Sequence, residues 1–137
     1  MTSTRFAIGT HILTALAFRE GEVVRSSDLA ASVNTSAAFI RQVLMQLRKA
    51  GLVRSQLGKG GGTMLARPSD RIRLDEVYRA TSSRPTVALH RNKPNQRCAV
   101  GRNIQPSLSK VLARAEKAML EELHGVTVAN IVADIHR

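Results

Sequence analysis

The stretch from Leu52 to Ala66 constrains this chain most, because it is unsuited to a helix. Leu52-Val53-Arg54-Ser55-Gln56 reads as a strand. Gly58-Lys59-Gly60-Gly61-Gly62 then places four glycines in five positions, and Thr63-Met64-Leu65-Ala66 reads as a return strand closed by Pro68. Glycine destabilises helices and suits tight turns with positive φ. The segment therefore predicts a glycine-tipped β-hairpin. A lone two-stranded hairpin is marginal in water, so the remaining chain must cover it.

That remaining chain reads as helices. The first is expected from Thr4 to Glu20, ended by Gly21. Its uncharged run from Phe6 to Phe18 follows Arg5 and contains Ala15-x-Ala17, which loosely mimics a secretory signal. Thr10, His11 and Thr14 interrupt it, and Ile8, Ile12 and Leu16 repeat every four residues, as in an amphipathic helix. The expectation is a folded helix of a cytoplasmic protein. Ser26 or Ser27 can cap a second, short helix through Asp28, Leu29, Ala30 and Val33. Asn34, Thr35 and Ser36 form a polar turn before a third helix at 36–50. Its apolar stripe is Ile40, Val43, Leu44 and Leu47; its other faces carry Arg41, Gln42, Met45, Gln46, Arg48 and Lys49.

Beyond the hairpin, a short helix is expected at 74–80 and an irregular basic segment at 82–102. A long helix follows at 103–124, with Pro106 in its first turn. Ile104, Leu108, Val111, Leu112, Ala115, Met119 and Leu123 stripe that helix, which is either an intrachain core helix or one that meets a partner. Thr127 caps a last short helix carrying Val128, Ile131, Val132 and Ile135. The expected fold is mostly α with a small β-hairpin wing. It divides into a winged helix-turn-helix at 1–81, an irregular basic loop at 82–102, and the long helix with a C-terminal helix at 103–137.

Charge narrows the function. Over 137 residues, 21 Lys and Arg oppose 10 Asp and Glu, a net charge of +11, which favours a polyanionic partner. Between Leu29 and Ser69 there is no acid, while Arg41, Arg48, Lys49, Arg54, Lys59 and Arg67 are all present. Only Phe6, Phe18, Phe39 and Tyr78 are aromatic, too few for a base-stacking platform, so a duplex is favoured over a single strand. No run approaches the roughly 20 apolar residues of a membrane span.

Three helices followed by a hairpin is the winged helix-turn-helix order, in which the second helix of the motif enters the major groove. Here that is helix 36–50, with Ser36, Ala37, Ala38, Arg41 and Gln42 in its leading turns. Small residues allow close approach, and Arg41 and Gln42 carry donors for guanine and adenine edges. Lys59, Gly60 and Gly61 would bring the wing tip against phosphates or the minor groove. Arg5 completes this candidate DNA-contacting set. A basic face on another small domain is the bland alternative.

These residues resemble a known family. Ser27-x-x-Leu-Ala, Phe39-Ile-x-x-Val-Leu-x-x-Leu-Arg-x-Ala-Gly-Leu-Val, Ser55-x-x-Gly-x-Gly-Gly-Gly-x-x-Leu-Ala-Arg and Ile72-x-Leu-x-Glu-Val-Tyr are similar to the Rrf-two family of bacterial regulators. The resemblance implies a homodimeric winged-helix repressor or activator on double-stranded DNA, with helix 103–124 crossing to the partner subunit. A repressor on a pseudo-palindromic operator is expected. Two positions depart from the pattern: Leu57 stands where the family wing usually has arginine, and Thr63 where it usually has tyrosine.

Several members of that family hold an iron–sulfur cluster on three cysteines before the dimer helix. This chain has Cys98 alone, so the resemblance is to a one-cysteine branch, and no cofactor is expected. Cys98 and His90 are the candidate sensor residues. Arg97, Arg102 and a helix starting about five residues later would favour a thiolate, open to an oxidant, an electrophile or another small-molecule effector. The bland readings are a small buried cysteine and a hydrogen-bonding loop histidine.

Other chemistry is poorly supported. Gly58-Lys-Gly-Gly-Gly-Thr lacks the order of a phosphate-binding loop, and His11, His90, His124 and His136 have no metal spacing. No carboxylate pair suggests hydrolysis, and Cys98 with His90 is weak evidence for a nucleophile pair. An enzyme is not expected. The alternatives to a DNA regulator are a basic RNA-binding module and a module that sequesters a protein partner.

Overall fold

The computed structural model describes residues 3–135. Its elements in order are α1 (Arg5–Phe18), α2 (Ser26–Val33), α3 (Ala37–Lys49), β1 (Val53–Gln56), β2 (Gly62–Leu65), α4 (Leu74–Thr81), α5 (Ala99–His124) and α6 (Val128–Ala133). A single 3-10 turn at Ser69–Arg71 precedes α4. Met1, Thr2, His136 and Arg137 lie outside the described residues.

α1 occupies the centre. It meets α2, α3, α4, α6 and β2. Gly9, Ile12, Leu13 and Leu16 are buried, and Phe6, Ile8, Ala15 and Ala17 pack against the same core. The expected packing face is present: Ile8, Ile12 and Leu16 turn to the core, while Ala7, His11 and Phe18 are exposed along the other side. Gly9 permits its close approach to α4. A Cβ there would lie 3.1 Å from Thr81 Cγ2 and 3.4 Å from Val77 Cγ1.

Capping explains the helix-turn-helix. Ser26 and Ser27 lie inside α2 rather than capping it, and Arg25 stands at the N-cap without a side-chain bond. Asn34 ends α2 in the left-handed region (φ 64°), a conformation asparagine tolerates better than most residues. Ser36 then caps α3, its Oγ accepting from Phe39 N at 3.2 Å. Ile40, Val43, Leu44 and Leu47 form the buried stripe expected for α3.

The hairpin pairs Val53 with Leu65 and Gln56 with Gly62. A third strand-like contact widens it: Val24 and Thr63 exchange backbone hydrogen bonds of 2.9 and 2.8 Å. This explains glycine at 62, where a Cβ would sit 2.5 Å from the Val24 carbonyl oxygen.

The C-terminal part differs most from the sequence expectation. α5 begins at Ala99, not near Asn103, and Pro106 lies inside it rather than in its first turn. The start is set by Asn95, whose Oδ1 accepts from Arg97 N at 3.0 Å and whose carbonyl accepts from Cys98 N at 3.2 Å. Gly101 admits that turn, since a Cβ there would come 2.3 Å from Asn95 O. α5 has 26 residues, about 39 Å of helix. None of the 26 is buried, and Val100 and Val111 are 68% and 47% exposed.

The far end of α5 is anchored. Arg73 Nη1 donates to His124 O at 2.8 Å, and His124 Nδ1 lies 3.0 Å from Asp75 Oδ2. α6 then returns to the core. Thr127 and Asn130 form a reciprocal capping box, and Val128 is fully buried. No helix of the described residues is long and apolar enough to cross a membrane.

If α1 is the central packing element, truncating it in the middle is costly. Ile12→Ala, at a fully buried position, is expected to lower unfolding stability by about 2–5 kcal/mol in a urea titration. A loss below about 0.5 kcal/mol, the range of an ordinary surface change, would contradict this placement.

Candidate nucleic-acid interface

Periodicity decides what α3 exposes. With Ile40, Val43, Leu44 and Leu47 turned inward, Ala38, Arg41, Gln42, Met45 and Lys49 are exposed on the remaining surface. Ser36 is exposed and used in capping; Ala37 is half-buried and packs against the core. The small leading residues therefore divide their work. Ala38 offers surface, Ser36 holds the helix start, and Ala37 anchors it.

The wing is held beside this face. Arg48, near the end of α3, donates from Nη1 to Ser55 Oγ on β1 at 2.9 Å. The Val24 contact braces the other strand. Between the strands, Gly58 and Gly60 take positive φ values of 91° and 79°, and Lys59 projects between them, exposed. Gly60 is exposed as well. Gly61 is half-buried, and a Cβ there would lie 2.2 Å from Gln56 O and 2.8 Å from Gly58 O. Its glycine is required to close the turn. Leu57 is 92% exposed at the start of the tip.

The electrostatics favour an anion. Among the described residues, no ion pair neutralises Arg41, Lys49, Arg54 or Lys59. Arg67 is engaged elsewhere, 2.6 Å from Glu76 Oε2 and donating to Arg71 O at 3.0 Å. Arg5 is half-buried and turned onto α3, donating to Gln42 and Gln46. Sequence reasoning missed this contact, which joins residues about forty positions apart. It also missed the Val24 bridge, for which the β-branched pair Val23-Val24 was a usable signal.

The structure places Cys98 at the N-cap of α5, and the thiol is exposed. The reading of a buried packing cysteine is therefore corrected. Backbone hydrogen bonding from Gly101, and then from Val100, holds the thiol below its ordinary value. The helix start lies one residue on, not five, so the amides act directly. Arg102 instead donates to Gln96 O at 3.2 Å. His90 is exposed, and its carbonyl accepts from Gln105 Nε2 at 3.4 Å. Among the described residues, no hydrogen bond joins His90 to Cys98.

Comparison with known proteins supplies the decisive observation. The sequence pattern described as "Iron-dependent Transcriptional regulator", Rrf2, matches residues 2–134. YwnA of Bacillus subtilis (strain 168), named as a candidate HTH-type transcriptional regulator, is 33% identical over 133 residues, covering 96% of this chain and 97% of YwnA. The chain belongs to the Rrf2, or Rrf-two, family. Its members regulate transcription, and this chain is a DNA-binding transcriptional regulator of that family. Two solved structures share the fold. A candidate transcriptional regulator from Lactobacillus plantarum superimposes with a TM-score of 0.81 at 26% identity, over 96% of this chain and 89% of that one. CymR, the global cysteine regulator of B. subtilis, superimposes with a TM-score of 0.74 at 23% identity, over 99% and 98% of the two chains.

The word iron in the family description can be tested against these residues. Among the described residues, no three His, Cys, Asp or Glu side chains come together in a metal-binding group. An iron–sulfur cluster is ordinarily held by four ligands, chiefly thiolates, and one chain supplies a single thiol. The donor set of one chain does not fit such a cluster.

The placement of Cys98 predicts its reactivity. Alkylation of the native chain by iodoacetamide, followed across pH, is expected to reach half its maximal rate below the ordinary cysteine value of about 8.5. Unfolding the chain in urea should move that midpoint back up. Equal midpoints in both states would remove the helix-start account.

Proposed function

We propose that this Rrf2-family chain acts in the cytoplasm as a homodimeric repressor on a pseudo-palindromic operator. The observation that carries this reading is the braced pair of α3 and wing. An exposed helix face bearing Arg41 and Gln42 stands beside a glycine tip bearing Lys59, and among the described residues no acid pairs with Arg41 or Lys59. The turn led by Ser36, Ala37 and Ala38 enters the major groove, where Arg41 reads a guanine edge and Gln42 a second base. The wing, through Lys59 and Gly60, tracks phosphates or the adjacent minor groove.

α5 supports the dimer. A 26-residue helix that buries no residue in its own chain, and exposes Val100, Leu108 and Val111, is suited to a second copy. The functional units are then the reading module at 1–81, the loop at 82–98, shortened from 82–102 because α5 already begins at Ala99, and the dimer-forming C-terminal part. Cys98 supports a thiol-based input. Its sulfur is exposed, biased toward thiolate, and placed where α5 begins, so reaction with an oxidant or electrophile alters the end of the dimer helix. His90 belongs to the same loop and acts in effector recognition rather than as a partner to the thiol.

Two substitutions test the division of labour on the DNA. Titrated against the duplex that the wild type enriches from a randomised pool, Arg41→Ala is expected to cost about 1–3 kcal/mol and to relax preference at one base pair per half-site. Lys59→Ala is expected to weaken cognate and random duplexes alike and to lower the salt dependence by about one charge. Equal small losses on both duplexes for both variants would contradict these roles.

A further inference from the structure

Two amides on the reading helix are turned toward one cation. Arg5, the first residue of α1, donates from Nη1 to Gln46 Oε1 at 2.9 Å and from Nη2 to Gln42 Oε1 at 3.0 Å. Its Cζ lies 5.0 Å from the centroid of the Phe39 ring. Phe39, Gln42 and Gln46 are three and four residues apart, so they lie along one side of α3. Ring stacking and two bonds from a planar fork hold the guanidinium in place more firmly than an ammonium would be.

The chemistry dictates which way each amide faces. A guanidinium has only donors, so each glutamine must turn its oxygen toward Arg5. A free side-chain amide flips easily and exchanges donor for acceptor. Gln42, once held, cannot flip without losing the bond to Arg5. Its oxygen is fixed at the Arg5 side, and its Nε2 amine is the group left to reach outward from an exposed position.

We propose that Arg5 is a positioning residue for base readout, fixing the amide of Gln42 so that it offers a donor to the DNA. The proposal rests on the reading of α3 as the recognition helix and deepens it. In the major groove, guanine, adenine and thymine each present an acceptor to such a donor, whereas cytosine presents only its N4 amine. The held amide therefore rejects cytosine on the contacted strand. A freed amide can flip, present its oxygen and accept from that amine. Arg5 thus sets specificity through another residue. It was a candidate DNA contact on sequence, and its guanidinium is instead engaged with the helix that reads.

The test uses the full chain and a randomised duplex pool at about 0.15 M salt, with bound DNA recovered and sequenced. Wild type, Arg5→Met, Arg5→Lys, Gln42→Ala and the Arg5→Met/Gln42→Ala double variant are compared. Gln42→Ala is expected to flatten preference at one position per half-site. Arg5→Met should re-admit cytosine at that same position, by about fivefold, the scale of one net hydrogen bond. The rest of the site should keep its preferences, and the double variant should show no further change there. Arg5→Lys, which keeps the charge but lacks the fork, should restore overall affinity better than it restores discrimination. An Arg5→Met loss that is uniform over all sequences, or that adds to Gln42→Ala, would overturn the proposal and make Arg5 a phosphate contact. If Gln42→Ala changes no base preference, the recognition-helix reading fails and this proposal falls with it. If Gln42→Ala changes preference and Arg5→Met does not, only this proposal falls.

Discussion

Burial of α1 is the constraint on which the rest of the architecture depends. A helix carrying Ile8, Ile12, Leu13 and Leu16 on one side cannot leave that side in water. α2, α3, α4, α6 and the wing's second strand all pack on it. Gly9 sets how closely α4 approaches. Leu47 of α3 reaches the same spot, 3.6 Å from where a Cβ of Gly9 would be. The orientation of α3 is therefore fixed by a contact on the side opposite Arg41 and Gln42.

The same core gives α5 a firm base. Its C-terminal end is tied to the start of α4 through Arg73 and Asp75, and the chain beyond it re-enters the core through Val128. Asp75 is a buried carboxylate that receives both His124, at 3.0 Å, and Arg79, at 3.5 Å. α4 packs on α1 and α3. A continuous set of packed elements thus runs from α5 through α4 to α3. Cys98 sits at the opposite end of α5, and the 82–98 segment is linked to α4 by a hydrogen bond between Thr86 and Tyr78. Cys98 and the anchored His124 thus lie at opposite ends of one 26-residue helix, each joined to the rest of the chain by hydrogen bonds.

Local signals made much of this legible. The glycine tip, the Ser36 cap and the stripe of α3 are written in neighbouring residues, and the structure follows them closely. The beginning of α5 was not legible in the same way. Pro106 resembles a first-turn proline and Gly101 resembles a loop residue, yet the helix starts before both, behind a turn that Asn95 folds through Arg97 N and that packs closely on Gly101. Contacts between distant residues left no local trace. The pairing of Arg5 with Gln42 and Gln46, and of Val24 with Thr63, depends on how helices cross. α1 follows its fourfold repeat, with Ile8, Ile12 and Leu16 on the core side and Ala7, His11 and Phe18 left exposed.

The central claim is that a pair of these chains reads a symmetric DNA site with α3 and the wing. The most direct test is to incubate the purified chain with sheared genomic fragments at about 0.15 M salt, recover the bound DNA and sequence it. The account predicts enrichment of a two-fold symmetric motif whose half-sites are separated by about one helical turn, ~34 Å, or a multiple of it. Binding without any enriched motif, lost steeply for all fragments alike as salt rises, would contradict it, as would an enriched motif without two-fold symmetry.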